Sequence, residues 1–325
     1  MTEIKDQAKD VLRGKQLVFL VGAPRSGTTW LQLLLSRSPL VATAQETHLF
    51  NIFLRDIVAQ WNFYRMTGRR AGLTQVLTDE EFRAGLRCAT GFVFAKIAQS
   101  KPSATIVLEK TPDHVNYWRE ILDVWPEAHF IHIIRDPRSV VASLCVASKT
   151  WASDWASPRI SRNSERWITD VTNGRHIRSA TQNYQEVTFE ELLLDGPKVL
   201  MRLLSGLGVG ANLRDCQRYV DECNIQNLKA GNLNNAPFDV AKMGKESWRI
   251  GTTDSWRVEL SRWEIALIER LAGPLTLELG YKPVNRSKAI SALVGIGYKL
   301  RNAAGAAKRR LRGRQIVMSL ALHKR

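Results

Sequence analysis

Long apolar runs are missing from this chain of 325 residues. No run of about 18 apolar residues occurs, so we expect no membrane-spanning helix. The first residues, from Met1 to Asp6, also lack the apolar core of a secretory signal. These two absences favour a cytoplasmic location.

Cysteine is scarce, with four residues scattered along the chain: Cys88, Cys145, Cys216 and Cys223. Cys216 and Cys223 lie seven positions apart, but no second pair of cysteine or histidine residues accompanies them. This spacing favours reduced structural thiols over disulfides or a zinc site. We therefore expect no bound metal.

Acidic residues are absent from the last part of the chain. Residues 282–325 contain twelve lysines and arginines and no aspartate or glutamate, whereas the whole chain has a net charge of +16. Residues 1–281 therefore carry only about +4, and we predict a folded domain over 1–281 and a basic amphipathic tail over 282–325. A solvated extension, contact with an anionic inner membrane surface, and nucleic-acid binding remain open for this tail, although we expect no nucleic-acid partner.

A phosphate-binding loop is predicted near the start of the chain. A buried strand over 17–21 leads into Gly22-x4-Gly27, and a helix begins at Thr28. Backbone N–H groups of such a loop converge on an anion. The spacing fits a nucleotide-triphosphate loop, but Thr28 replaces its lysine and Arg25 is the nearest cation. The loop therefore points to a phosphorylated nucleotide other than ATP, and no residue is assigned to magnesium.

A second strand, turn and helix occupy residues 128–143, where Arg135 ends the strand and Ser143 follows eight residues later. Alternation of strands and helices along the chain predicts an α/β fold of three layers, with helices on both sides of a parallel sheet. Ligands bind such sheets at the carboxyl ends of the strands, where both motifs lie.

The chain resembles the sulfotransferases that use 3′-phosphoadenosine 5′-phosphosulfate (PAPS). Pro24 to Trp30 is similar to the family's loop for the 5′-phosphosulfate, and Arg135-x-Pro-x5-Ser143 to its pattern for the 3′-phosphate. Residues 187–192 and 249–256 match two further motifs, with phenylalanine at 189 replacing a usual tyrosine. The resemblance covers residues 15–281 and implies a P-loop NTPase-like fold.

The resemblance also implies which residues contact the donor: Arg25, Ser26, Gly27, Thr28, Thr29, Trp30, Arg135, Ser143, Phe189, Arg249, Gly251 and Thr252. Trp30 is interpreted either as a stacking partner of the adenine or as a core residue. Phe189 is a second adenine contact. Arg135 has an alternative role as a structural partner of Asp136.

The base for the acceptor hydroxyl is sought in Glu46-Thr47-His48, because a carboxylate or imidazole can take that proton. This segment resembles the E-x-H of glycan (heparan-type) sulfotransferases, in which the glutamate is the base. The segment from Glu109 to Pro112 also looks like the glycan branch, since it lacks the histidine of the phenol and steroid enzymes. Glu46 is the first choice, with His48 as its partner or substitute.

Lys110 and Arg25 are the predicted catalytic cations, because fixed cations stabilise charge that develops in a transition state. The alternatives are an ion pair of Lys110 with Glu109 or Asp113, local capping or pairing by Glu46, and a structural role for His48.

The predicted reaction is transfer of a sulfuryl group from PAPS to a hydroxyl of a glycan, glycolipid or small metabolite. Aromatic residues over 53–64 and the segment 145–183 are expected to line the acceptor cleft. A P-loop nucleotide kinase or other phosphotransferase is the alternative, but it requires a lysine at position 28 and an acidic strand end instead of Arg135. A non-enzymatic nucleotide- or membrane-binding module is the third hypothesis.

Overall fold

The computed structural model describes residues 11–243, 248, 253–284, 293 and 295–298. Five strands form one sheet with the order β2-β3-β1-β4-β5, and every neighbouring pair is parallel. The strands are β1 Gln16–Val21, β2 Val41–Thr43, β3 Ile106–Lys110, β4 His129–Ile134 and β5 Tyr184–Thr188.

Helices connect the strands and follow the last one. They are α1 Thr28–Ser36, α2 Arg55–Thr67, α3 Asp79–Gln99, α4 Trp118–Val124, α5 Pro137–Ala147, α6 Ile160–Ala180, α7 Phe189–Leu194, α8 Gly196–Gly206, α9 Leu213–Glu222, α10 Ile225–Ala230, α11 Trp256–Glu259 and α12 Arg262–Glu278. Short helical turns cover Leu49–Phe53, Leu73–Gln75, Pro112–Asn116 and Val240–Lys242.

The two faces of the sheet pack against different helices. Alternation along β1 places Val18 and Leu20 in one core with α1 and α8, while Phe19 packs in a second core with α3. The ring of Phe19 lies 5.8 Å from that of Phe94 in α3 and 5.7 Å from that of Phe130 in β4. This arrangement confirms the predicted three-layer α/β fold with a parallel sheet.

The chain between β2 and α2 contains a helical turn that its local sequence does not predict. The strand β2 ends at Thr43, and Leu49–Phe53 forms a helical turn. Side chains at the end of β3 bind the backbone of this segment, as described below, so its shape depends on contacts that local sequence does not contain.

Contacts with the folded body continue at Lys282 and Val284. Arg138 donates a hydrogen bond to the carbonyl oxygen of Lys282 at 3.1 Å, and the Val284 N–H donates to Glu269 at 2.8 Å. Most of the tail lies outside the described residues, so the division at 281 stays a prediction. Within the described residues, no helix is long and apolar enough to cross a membrane.

Candidate active site

A cleft of about 1300 Å³ lies at the carboxyl ends of the strands. Residues that follow each of the five strands line it: Arg25, Glu46, Pro112, Arg135 and Phe189. Because all five strands are parallel, their ends meet at one edge of the sheet and bring these distant segments together.

The loop between β1 and α1 crosses the end of β4 at very close range. A Cβ atom at Gly22 would lie 2.3 Å from the carbonyl oxygen of Ile133, and one at Gly27 would lie 2.6 Å from the Phe189 ring. Gly27 also has a φ of 96°, and Arg25 has a φ of 73°. These positions require glycine at Gly22 and Gly27 and give the loop its fixed curvature.

The same loop contains a buried polar atom that suits an anionic ligand. The Ser26 hydroxyl is buried and has no hydrogen-bond partner among the described residues. Thr28 begins α1, so the first N–H groups of this helix lie at the same place. A hydroxyl donor and a helix N-terminus together fit the phosphate group that the sequence predicts.

Arg25, Arg135 and Ser143 are brought together on one side of the loop. Arg25 Nε donates to Ser143 Oγ at 2.9 Å, and Arg135 Nη1 donates to the Arg25 carbonyl oxygen at 3.3 Å. The Asp136 carboxylate, which was the alternative partner of Arg135, binds Arg138 at 2.6 Å. The two arginines therefore place positive charge beside the buried Ser143.

Trp30 and Phe189 form a wall of the cleft. Their ring centroids lie 5.7 Å apart, and the Trp30 Nε1–H donates to the Cys223 carbonyl oxygen at 3.0 Å. Trp30 is partly buried and packs against the hydrophobic core that contains α1 and α8. Phe189 is buried and its ring lies 4.0 Å from the Arg135 guanidinium.

Glu46, His48 and Lys110 lie together on the other side of the loop. Lys110 is buried, forms an ion pair with Glu46, and donates to Thr29 Oγ1 at 3.2 Å. His48 Nε2 lies 3.5 Å from Glu46, while Asn51 Nδ2 lies 3.1 Å from His48 Nδ1. This arrangement shows Lys110 next to both the predicted base and the phosphate loop.

The two predicted catalytic cations lie apart: Arg25 lines the cleft, whereas Lys110 is buried beside Glu46 and Thr29. The alternative partners of Lys110 are engaged elsewhere, since Glu109 binds His114 at 2.8 Å and Asp113 binds Arg166 at 2.5 Å. Arg25 lies farther along, between Ser143 and the ring of Trp151, whose centroid is 5.4 Å from the guanidinium.

A buried carboxylate that sequence reasoning missed lies directly behind the predicted base. Glu109 accepts hydrogen bonds from Thr47 Oγ1 at 2.8 Å, Thr111 Oγ1 at 2.7 Å and His114 Nδ1 at 2.8 Å. Burial alone would raise the pKa of Glu109, but His114 and the hydroxyl donors lower it to about 2. An acidic residue within the apolar run of β3 is the signal that could have identified it.

One wall of the cleft is aromatic and polar. Trp151 and Trp155 are 44% and 39% exposed, and their rings lie 5.6 Å apart. Arg166, which pairs with Asp113, also has its Nε 3.7 Å from the carboxylate of Asp170. The pKa of Asp170 is raised to about 7 by its burial.

The expectation for the acceptor-lining segments is only partly met. Trp151, Trp155 and Arg166 lie within 145–183 and line the cleft, but no residue of 53–64 does. Trp61 in that stretch is buried and stacks on Phe82 at 3.9 Å. The donor contacts predicted at Arg249, Gly251 and Thr252 lie outside the described residues.

Comparison with known proteins places this fold and site in one class. The family model described as "Sulfotransferase family" matches residues 17–212, which is more than half of the chain. The chain belongs to this family, and it is a sulfotransferase. The enzyme class predicted from the motifs is confirmed, and the alternative of a nucleotide kinase is set aside.

Individual relatives are distant. The chain is 25% identical over 333 residues to nodulation protein NoeE of Sinorhizobium fredii, covering 87% of this chain and 73% of that protein. It is 26% identical over 204 residues to protein-tyrosine sulfotransferase 1 of Danio rerio, covering 60% of this chain and 54% of that protein. The chain thus spans about half the length of that tyrosine sulfotransferase.

A solved structure supports the fold independently. Mouse sulfotransferase SULT7A1, whose structure is a complex with PAP, superposes with a TM-score of 0.52 at 13% identity. The superposition covers 92% of this chain and 95% of the mouse chain. At this level of identity the likeness shows a shared fold.

Proposed function

We propose that this enzyme transfers a sulfuryl group from PAPS to a hydroxyl group of a carbohydrate, a glycolipid or a small metabolite. The observation that carries this proposal is the ion pair of Glu46, which lines the cleft, with the buried Lys110, which also donates to Thr29 of the phosphate loop. A carboxylate, a cation and a phosphate loop within one cleft are the groups that sulfuryl transfer to a hydroxyl needs.

The donor would be held at three points. The loop from Ser26 to Thr29 would bind its 5′ end, where the Ser26 hydroxyl and the start of α1 favour an anion. Arg135 and Ser143 would bind its 3′-phosphate, because charge-assisted hydrogen bonds from arginine to phosphate are strong. The three donor contacts in 249–252 remain predictions.

The adenine would occupy the part of the cleft that Trp30 and Phe189 line. Phe189 offers no hydroxyl, so its contribution would be the apolar face of its ring alone.

Glu46 would act as the general base. Its carboxylate is 29% exposed, so an acceptor hydroxyl can approach it from the cleft. When bound, PAPS supplies the sulfuryl group, to which the acceptor oxygen forms a new bond as the bond to the 5′-phosphate breaks. Glu46 takes the hydroxyl proton, and Lys110 balances negative charge beside Thr29. His48 lies within 3.5 Å of Glu46 and would orient it or substitute for it.

The acceptor would bind at the end lined by Trp151 and Trp155. Indole rings suit the apolar faces of sugars and of other ring-containing acceptors. The Asp113–Arg166 pair adds hydrogen-bonding groups on the same wall without adding net charge. This combination favours an uncharged acceptor with hydroxyl groups.

We also propose a cytoplasmic location with peripheral contact to the inner membrane surface through the basic tail. The support is the charge of 282–325, which holds twelve basic and no acidic residues. Each lysine or arginine near an anionic surface contributes about 1 kcal/mol of attraction.

The function is tested by replacing Glu46 with glutamine, which keeps the size of the side chain and removes the base. Sulfuryl transfer from labelled PAPS should fall by about 10²-fold or more, while PAP affinity in calorimetry stays near that of the wild type. EDTA should leave the wild-type rate unchanged, because no metal is assigned a role.

His48→Ala separates the two candidate bases. If Glu46→Gln is fully active and His48→Ala is inactive, the base has been assigned to the wrong residue. If EDTA stops the reaction, the metal-independent chemistry is wrong.

A further inference from the structure

Three backbone N–H groups of the segment that carries Glu46 are bound by side chains from the end of β3 and the turn after it. Thr47 N–H donates to Glu109 at 3.3 Å, and His48 N–H donates to Thr111 Oγ1 at 3.3 Å. Phe50 N–H donates to His114 Nε2 at 3.2 Å. The segment from Thr47 to Phe50 is therefore bound along its length.

Glu109 connects these contacts into one network. It accepts hydrogen bonds from Thr47, Thr111 and His114, and it is only 2% exposed. His114 Nε2 accepts a hydrogen bond from a backbone N–H, so the ring proton is on Nδ1. This Nδ1–H donates a hydrogen bond to Glu109. Removing Glu109 would leave several buried donors without an acceptor, which is costly in a dry interior.

The network holds a backbone conformation that is otherwise unfavourable. His48 has a φ of 51°, in the left-handed region that residues with a side chain rarely adopt. This turn places the His48 ring 3.5 Å from Glu46, while Asn51 lies at the other ring nitrogen. Backbone strain of this kind persists only where surrounding contacts enforce it.

We propose that Glu109, with Thr111 and His114, is the positioning device for the general base. This inference rests on the role proposed for Glu46. Glu109 does not line the cleft. It binds the Thr47 backbone directly and the His48 backbone through Thr111, so that the Glu46 carboxylate stays between Lys110 and the acceptor. A displacement of about 1 Å of a catalytic group can lower a rate by about 10²-fold, so loss of this network should act on turnover.

The test compares Glu109→Gln with the wild type in sulfuryl transfer from labelled PAPS. We expect kcat to fall by about 10- to 100-fold while the affinity for PAP changes less than twofold. Glu269→Gln is the matched control, because Glu269 is a buried carboxylate whose contacts include Arg138 and the Val284 N–H. That variant should show lower stability with a normal kcat.

A double variant distinguishes positioning from general destabilisation. If Glu109 acts through Glu46, then Glu109→Gln should slow the Glu46→Gln enzyme less than twofold, whereas independent effects would multiply. A wild-type kcat for Glu109→Gln, or multiplied losses in the double variant, would overturn the proposal. A fully active Glu46→Gln would instead overturn the proposed base itself.

Two milder variants keep the test decisive if Glu109→Gln does not fold. Thr111→Val removes one donor to Glu109 and the acceptor of the His48 N–H, and Thr47→Val removes a second donor. Each should lower kcat severalfold at unchanged PAP affinity. Wild-type kcat in both would contradict the positioning role.

Discussion

Arg25 and Arg135 concentrate positive charge on one side of the loop between β1 and α1. Arg25 binds Ser143, and Arg135 reaches the Arg25 carbonyl oxygen while its guanidinium lies 4.0 Å from the Phe189 ring. Contact with an aromatic face and a carbonyl oxygen fixes the guanidinium in position before any ligand arrives. This preorganisation supports the proposed binding of a second phosphate, in addition to the one proposed at the loop.

Arg135→Ala should abolish the thermal stabilisation that PAP gives to the enzyme. The weak stabilisation by 5′-AMP should stay unchanged, because that nucleotide lacks the 3′-phosphate. A thermal-shift titration with both nucleotides measures this, with Arg83→Ala as control, since Arg83 is outside the cleft and pairs with Asp123 at 3.4 Å. Equal stabilisation of wild type and Arg135→Ala by PAP would contradict the assignment.

The sequence predicts which residues lie together in the cleft where all of them belong to one motif. The phosphate loop is such a case, since Gly27, Thr28 and Thr29 follow one another. The Asp113–Arg166 pair was not predictable, because its two residues are 53 positions apart and neither belongs to a motif. The sequence indicated Glu109 only as a motif residue and as a possible ion-pair partner of Lys110. Its role depends on contacts with a different loop.

At the scale of elements, the turn between β1 and α1 tolerates no side chain at Gly27. Gly27→Ala should destabilise the protein by about 1–3 kcal/mol, because its φ is 96° and the new Cβ would lie 2.6 Å from the Phe189 ring. Displacement of that ring should also weaken PAP binding. Denaturant unfolding and calorimetry measure the two effects.

Gly85→Ala provides the matched comparison in helix α3. Apart from the chain neighbours of Gly85 and the helix's own backbone, no atom lies within 4 Å of a Cβ placed there. Alanine is also favoured over glycine in a helix. That variant should be stabilised by about 0.5–1 kcal/mol with normal PAP binding. Equal stability changes at the two positions would show that the loop does not need glycine.

The end of β3 should make stability depend on acid pH. The folded state holds the pKa of Glu109 at about 2, below its ordinary value of 4.5. A lowered pKa stabilises the fold above pH 4.5, and this contribution disappears as the pH falls towards 2.

The stability difference between wild type and Glu109→Gln should therefore shrink as the pH is lowered from 7 to 3. Urea unfolding of both proteins at several pH values measures this difference. A difference that stays constant over this range would show that Glu109 is not held as a buried carboxylate.

Strands and helices could be predicted where the residues that determine them are neighbours in the sequence. The segments β1, α1 and β4 follow from buried runs and from loop glycines, and their positions agree with expectation to within a few residues. The turn Leu49–Phe53 was not predictable, because the N–H groups of His48 and Phe50 are bound by Thr111 and His114, which follow a distant strand.

At the scale of the whole molecule, a nearly neutral body carries a strongly basic end. The contacts of Lys282 and Val284 with Arg138 and Glu269 tie the chain to the body up to residue 284. Beyond it, the Tyr298 hydroxyl donates to the exposed Glu165 carboxylate, and an exposed contact of this kind contributes little stability. The motifs for donor and base all precede this region.

A truncated protein ending at Val284 should therefore fold and bind PAP normally. It should lose co-sedimentation with vesicles that contain anionic lipid, because twelve basic residues are counted in 282–325 and only Lys282 would remain. Binding by the full chain should weaken between low and high salt, since ions screen the attraction, and neutral vesicles should bind neither protein. Equal vesicle binding by both proteins would exclude the tail as the membrane contact, and an insoluble truncated protein would show that the tail is part of the fold.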